Sequence, residues 1–366
     1  MSVGDILRTM RARLDVGWGR CVLGAAWLLA ACADPSDPAR PPPSTSAGIG
    51  GGAAGSAAGA AGGAGRVPAD TVVVLPDTQF YSCAYPEIFA QQTRWIREQR
   101  AGFGIALVLH TGDIVDTDVK KQWDVASAAL HVLDGEVPYL AVPGNHDLGS
   151  DRSSLMPDYF TPDLLALYDW VAEAREPDRL DNAFAIVEVA GRSWLFIGLE
   201  FAPRDAAIEW AAQALREHAE LPAVLFTHAY LDGDGRRYDR ALSPHQKYHP
   251  DDYGMTPEQG VNDGQDIWTK LIEPHENVRL TLSGHAIPDG TAHVTAERSS
   301  GTRVHQLLAN YQQCDRCPCA EVEGGGGYLR LLRFDPTGKS IRVTTYSPHF
   351  DRSLTDGENE FGLELE

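Results

Sequence analysis

The amino-acid sequence reads as an α/β fold of two packed β-sheets with helices on their outer faces, and three observations predict it. Short, wholly apolar runs such as Val72-Val73-Val74-Leu75 have the length of strands covered on both faces. Stretches with helical spacing lie between the early runs, giving the βαβα order of a parallel sheet. Beyond residue 278 strand candidates outnumber helices, which calls for a second sheet packed on the first.

Residues 1–31 stand apart from that fold. Arg8, Arg11, Arg13 and Arg20 precede an apolar run over 21–31 that is too short to span a bilayer and suits the hydrophobic region of an export signal. The run ends Leu29-Ala30-Ala31-Cys32, which resembles the lipobox of bacterial lipoprotein signals. That resemblance implies cleavage before Cys32 and a lipid on its sulfur, hence an exported product anchored in the bacterial cell envelope. Ala33 after the cysteine resembles the pattern sorted to the outer membrane or surface rather than the inner membrane. An ordinary secretory signal with an incidental cysteine is the alternative, and it too yields an exported chain. Residues 32–68 then comprise the lipidated Cys32 and a Pro/Gly/Ala-rich tether, since such a tract cannot bury a core. No internal repeat is visible.

The folded domain is expected over 69–350. Its first strand, 72–75, leads to a helix over 86–100 that opens with Pro86, a favoured first-turn residue. Strands at 105–109 and 139–142 follow, with an amphipathic helix over 119–133 between them. Segments 184–189 and 194–199 form a hairpin across Ala190-Gly191-Arg192-Ser193, and a helix over 205–218 comes next. Further strands fall at 223–226, 278–282, 304–308, 328–334 and 341–345. The stretch 232–265, rich in Gly, Asp, His and Tyr, is a long excursion of the kind that shapes substrate pockets. Residues 351–366 read as an acidic tail.

The formal charge is −20, and residues 1–31 carry four Arg against Asp5 and Asp15, so the remainder is near −22. Such a surface repels polyanions and argues against nucleic acid as a partner. Of six cysteines, Cys21 leaves with the signal and Cys32 takes the lipid, leaving Cys83, Cys314, Cys317 and Cys319. In an oxidising compartment these four predict two disulfides in preference to a metal site, with connectivity left open.

The chemistry lies directly after the apolar strands. Leu75 is followed by Pro76-Asp77-Thr78-Gln79, Leu109 by His110-Thr111-Gly112-Asp113-Ile114-Val115-Asp116, and Val142 by Pro143-Gly144-Asn145-His146-Asp147. Phe226 leads into Thr227-His228, and Leu282 into Ser283-Gly284-His285. In an α/β sheet, side chains distant in sequence converge at the C-terminal ends of the strands. Asp, Asn and His together offer oxygen and nitrogen donors that suit a divalent transition metal such as Mn, Zn or Fe. Singly these motifs are turn chemistry or ordinary histidines; their joint occurrence in one order carries the metal reading.

In that order, Gly112-Asp113-Ile114-Val115-Asp116, Gly144-Asn145-His146-Asp147, His228 and Gly284-His285 resemble the calcineurin-like metallophosphoesterase superfamily over residues 70–346. Asp77-Thr78-Gln79-Phe80-Tyr81-Ser82, Asn310-Tyr311-Gln312, Tyr328-Leu329-Arg330 and Thr345-Tyr346-Ser347-Pro348 are similar to an envelope-associated bacterial branch of it. The resemblance implies a four-layer β-sandwich flanked by helices, with the metal site at the C-terminal ends of the strands. It implies that Asp113 bridges two ions, that Asn145, His228 and His285 complete one site, and that Asp77, Asp113 and Gln79 form the other. It also implies attack on phosphorus by metal-bound hydroxide, with His146 as general acid oriented by Asp147 or a nearby carboxylate.

Two positions depart from the family pattern. Gln79 and Ile287 stand where the superfamily usually has histidines, and isoleucine cannot coordinate an ion. The open outcomes are one tight ion with a weak second, a first site completed by water or by Asp289 or His293, or a degenerate site. Asp116, Thr78 and His110 read as supporting groups, and His245, His249, His275, His293 and His305 as surface or loop residues. The function expected is hydrolysis of a small phosphorylated substrate; the competing expectation is a catalytically weakened or inactive metal-binding surface lipoprotein of the same fold.

Overall fold

The computed structural model describes residues 70–242, 245–287, 290–312 and 323–365. The signal, Cys32 and the tether lie outside the described residues, as do Asp289, Cys314, Cys317 and Cys319.

Two seven-stranded sheets form the molecule's centre. The first contains β1 (Thr71–Leu75), β2 (Ile105–His110), β3 (Tyr139–Ala141), β11 (Leu329–Phe334), β12 (Ser340–Ser347), β13 (Arg352–Leu354) and β14 (Phe361–Glu364), in the order β13-β12-β11-β1-β2-β3 with β14 on β12. The second contains β4 (Val171–Glu176), β5 (Arg179–Val189), β6 (Arg192–Leu199), β7 (Ala223–Thr227), β8 (Val278–Ser283), β9 (Thr291–Glu297) and β10 (Arg303–Ala309), in the order β4-β5-β6-β7-β8-β10-β9. Within each sheet the strands that lead to the motifs are parallel: β1, β2 and β3 in one, and β6, β7, β8 and β10 in the other. Their C-terminal ends therefore share one edge of each sheet.

The apolar runs are continuous because both faces of these strands are covered. In β6 and β7, Phe196, Val224 and Phe226 face the other sheet, in one cluster with Val72, Leu107, Leu140 and Leu331. The alternating Leu195, Ile197 and Leu225 pack outward against Ala207, Ile208, Ala211 and Leu215 of a helix over Asp205–Glu217 and against Ile267 and Leu271. Helices α1 (Gln79–Cys83), α2 (Pro86–Phe103) and α3 (Lys120–Leu130) belong to the first half, where Ile88, Phe89, Ile96, Trp123 and Leu130 are buried with the sheet. Helix, sheet, sheet and helix make the four layers. Gly104, in the left-handed conformation at φ 62°, ends α2 and turns the chain into β2.

The structure adds strands that the residue pattern hides. β4 is an edge strand whose polar alternation reads as a loop, and β9 is only partly buried at the opposite edge. The expected acidic tail is corrected: β13 and β14 pair antiparallel with β12. Leu354, Leu363 and Leu365 are buried, while Asp356 and Glu358 occupy the connection between the strands, so acidic composition masks a period-two pattern. His305, expected at the surface or in a loop, is buried in β10 and touches Thr295 and the Glu364 carbonyl, and His249, in the loop excursion as expected, is buried and accepts from the Asp251 amide.

Candidate metal centre

The parallel strands deliver their side chains to one place from two sides. β1, β2 and β3 lead to Asp77, Asp113 and the Asn145-His146 pair, whereas β7 and β8 lead to His228 and His285. Asp113, His228 and His285 are all buried, with one ligand atom of each lying within 4.8 Å of the others. His228 Nε2 is 3.1 Å from Asp113 Oδ2, 3.1 Å from Asn145 Oδ1 and 3.1 Å from His285 Nδ1.

Backbone carbonyls decide which nitrogen of each ring faces this centre. His228 Nδ1 lies 2.8 Å from the Thr111 carbonyl and His285 Nε2 lies 2.7 Å from the Tyr248 carbonyl. A carbonyl only accepts, so each of those nitrogens carries a proton and donates it. The remaining His228 Nε2 and His285 Nδ1 face each other and the oxygens of Asp113 and Asn145, and a cation bound there would take the place of the proton that His228 Nε2 shares with Asp113. Four electron-pair donors facing one another fit a divalent cation, and a carbonyl behind each imidazole is the arrangement metal-binding histidines use.

Close packing leaves no room for side chains at two glycines. A Cβ on Gly144 would sit 2.1 Å from Asp113 Oδ1, and one on Gly284 would sit 2.2 Å from Asp77 Oδ2. Asp77, Asp113 and His285 themselves hold positive φ, at 31°, 51° and 74°. Such backbone costs about 1–3 kcal/mol per residue and persists where surrounding structure imposes it.

The protonation pattern follows from burial and proximity. Burial works against charge on His228, yet the Asp113 carboxylate more than offsets it and pushes the imidazole up to about 9. Burial and the neighbouring His228 push His285 down to about 3. Asp113 is driven up by burial but held well below the usual carboxylate range by His228 and His146. Burial raises Asp77 strongly, with Asp113 adding to the effect.

His146 stands beside the donor set. Its backbone N–H donates to Asp113 Oδ1 at 3.0 Å, and its Nδ1 donates to the Asp116 carbonyl at 2.7 Å, leaving Nε2 without a fixed partner. Burial opposes its charge, but Asp113 and then Asp116 raise it above the ordinary histidine value. Of the groups expected to orient this ring, Asp147 or a nearby carboxylate, Asp147 is engaged by the backbone instead. It accepts backbone N–H groups from Ile114, Val115 and Gly144 at 3.1, 2.9 and 2.7 Å, tying the β2 loop to the β3 loop. Asp116, with its carbonyl on Nδ1 and its carboxylate 3.9 Å away, is the nearby acidic residue at the His146 ring.

The other half of the centre is sparser. Asp77 accepts the His285 amide at 3.1 Å, and Gln79, buried at the start of α1, interacts with Asp116 while its Oε1 has no hydrogen-bond partner. An orphaned buried amide oxygen suits a cation. Ile287 is half-buried and offers no donor, and His293 instead stacks on Phe361 at 4.3 Å. Residue-type reasoning passed over Tyr248 and Thr111, which act through the main chain, and Phe201, whose ring packs 5.8 Å from His228 and 5.6 Å from His285.

Residues 71–287, more than half of the chain, match the model of the calcineurin-like phosphoesterase family. The chain belongs to the calcineurin-like phosphoesterases. It is 31% identical over 312 residues to the uncharacterized protein YvnB of Bacillus subtilis (strain 168), covering 81% of this chain and 22% of YvnB. Among solved structures it is similar to the purple acid phosphatase PPD1 of yellow lupin (Lupinus luteus) seeds, at 14% identity and TM-score 0.47, over 81% of this chain and 55% of that one. It is also similar to the 5'-nucleotidase of Candida albicans SC5314, at 12% identity and TM-score 0.42, over 79% and 53%. This phosphoesterase thus spans about a fifth of the curated relative and about half of each of these solved chains.

Proposed function

We propose that this phosphoesterase cleaves small phosphate esters outside the cytoplasm, with His146 supplying the proton taken by the leaving oxygen. One observation carries the reading: Asp113, Asn145, His228 and His285 aim four lone-pair atoms at one point, and the His146 ring sits at its rim. A divalent ion held there supplies Lewis acidity toward the phosphoryl group and activates water. Asp113, Asn145, His228 and His285 hold it, with Asp77 and the Gln79 oxygen as the donors of a weaker second position.

The chain's own groups do the rest. The Thr111 and Tyr248 carbonyls fix both imidazoles so that no ligand has to change tautomer. Asp147 clamps the loops bearing Asp113 and Asn145 through three amides, which preserves their spacing. The Asp116 carbonyl holds His146 Nδ1–H, which leaves Nε2 as the nitrogen free to meet a leaving group, and the Asp113 and Asp116 charges favour the protonated ring.

Export and lipid attachment at Cys32 are part of this proposal, supported by the Arg-rich start, the apolar run and Leu29-Ala30-Ala31-Cys32. An extracytoplasmic site also suits a disulfide at Cys83. The experiment uses protein recovered from the envelope, whose intact mass reads the lipid, loaded with Mn, Zn or Fe and given a panel of aryl phosphates. His146→Ala is expected to lower kcat about 10²–10⁴-fold, and Asn145→Ala to lower metal content as well as rate. Unchanged hydrolysis in both variants would remove the roles assigned to these residues. Ile287 supports one second reading, a metal-binding surface protein without turnover; one ion per chain with no hydrolysis under any loading is its signature.

A further inference from the structure

A cleft of about 300 Å³ lies on the second sheet, and no metal donor lines it. At its floor is Gln306 of β10, which sits between Thr281 of β8 and Val294 of β9 and shares the outward face of the sheet with Val304 and Leu308. Val294, Ala296 and Leu242 give the cleft apolar walls. A turn over 231–237, closed by an antiparallel bridge between Leu231 and Arg237, brings a guanidinium into it.

Arg237 meets only neutral groups there. Its guanidinium lies 4.4 Å over the Trp268 ring, Nε donates to Gln265 Oε1 at 2.8 Å, and Nη1 donates to Gln306 Oε1 at 3.1 Å. Among the described residues Nη2 has no hydrogen-bond partner and no carboxylate pairs with this cation, in a chain with 51 acidic residues against 31 basic ones. The adjacent Arg236 differs, with Asp234 Oδ2 3.6 Å from its side chain.

Gln306 supplies a second unspent donor. Arginine only donates, so the Gln306 atom facing Nη1 is the amide oxygen, and Tyr230 Oη donates to the same oxygen at 2.8 Å. Those two contacts fix the amide and turn Nε2 away from both, toward the cleft that the residue lines. Gln306 is 1% exposed, yet Nε2 meets no acceptor among the described residues and is not sealed from the cleft. A buried N–H₂ group in this position calls for an oxygen. Arg237 Nη2 and Gln306 Nε2 thus stand on either side of one shared oxygen, both unspent.

We propose that this cleft binds a small organic monocarboxylate, with Arg237 Nη2 and Gln306 Nε2 donating to its two oxygens and Val294, Ala296 and Leu242 against its apolar body. A guanidinium beside an amide suits a planar carboxylate. Asp239 also lines the cleft, its Oδ1 held by the Ala241 amide at 2.9 Å, and its charge opposes a dianion such as phosphate. The site goes beyond the phosphoesterase reading and does not depend on turnover at the metal centre.

The test titrates the full metal-loaded chain with isovalerate by calorimetry and reads metal content and the thermal midpoint alongside. Saturable binding is expected in the wild type and, unchanged, in Asn145→Ala, whose metal centre is depleted. Arg237→Met keeps an apolar stem on Trp268, and Gln306→Glu keeps an oxygen for Tyr230 and Arg237 while replacing the free donor with a charge. Each is expected to weaken isovalerate about 10–100-fold, with metal content preserved and the Gln306→Glu midpoint no lower than wild type. Isovaleramide, and inorganic phosphate given to Asn145→Ala, are expected to bind at least about tenfold more weakly than isovalerate. Absence of saturable binding in the wild type, or affinity within twofold of wild type in Gln306→Glu, overturns the proposal. So does loss of binding in Asn145→Ala, which would put the carboxylate on the metal, and phosphate or isovaleramide binding as tightly as isovalerate overturns the ligand class.

Discussion

A single methyl group at position 284 would collide with the Asp77 carboxylate. Gly284 faces Asp77 Oδ2 so closely that a Cβ would sit 2.2 Å away, while Asp113, Asn145 and His228 are held by other contacts. Gly284→Ala is therefore expected to displace Asp77 and lower metal stoichiometry and activity at least about tenfold, with the fold retained. Gly362→Ala, with nothing within 4 Å of the added carbon, is the control. Metal content read by mass spectrometry decides it; full loading in Gly284→Ala would show that Asp77 takes no part. At this scale Asp113, Asn145, His146, His228 and His285 were legible because their residue types and their places after strands both point to chemistry. Tyr248 and Thr111 were not, because a carbonyl is common to every residue and only the fold selects which one faces a histidine. Asp147 shows the converse: its type suggested a partner for His146, yet three amides claim its carboxylate.

Among the elements, the excursion over 232–265 meets the metal centre at the Tyr248 carbonyl and at the rings of Tyr238 and Tyr253, which pack 5.8 and 5.7 Å from the His285 ring. Tyr248 holds φ 58°, a left-handed backbone that places its oxygen 2.7 Å from His285 Nε2, while its ring is half exposed. Tyr248→Gly keeps access to that conformation, whereas Tyr248→Pro forbids it. The proline variant is expected to bind metal about 10–100-fold more weakly, the glycine variant much as wild type, in competition against a chelating dye. Equal affinities would mean that the Tyr248 carbonyl does not orient His285. Strands buried on both faces, such as β1, β2, β6 and β7, were legible as apolar runs. β4, β13 and β14 were not, since an edge or half-covered strand spends every second position on polar or charged residues, and acidic neighbours blur what alternation remains.

For the molecule as a whole, the donors divide by sheet. Asp77, Asp113 and Asn145 follow strands of one sheet, His228 and His285 strands of the other, so a bound ion ties the two halves together. An ion present at about a thousand times its dissociation constant adds about 4 kcal/mol to the folded state. Chelation is accordingly expected to lower the thermal midpoint by about 5–10 °C, measured by calorimetry before and after dialysis against a chelator; an unchanged midpoint would contradict binding between the sheets. The division has a bearing on biogenesis. A chain exported before its sandwich closes would offer no complete nest for a cation, and would acquire its ion where folding finishes. With export as proposed, the choice among Mn, Zn and Fe then falls to the mineral supply outside the cytoplasm, not to affinity ranking inside it.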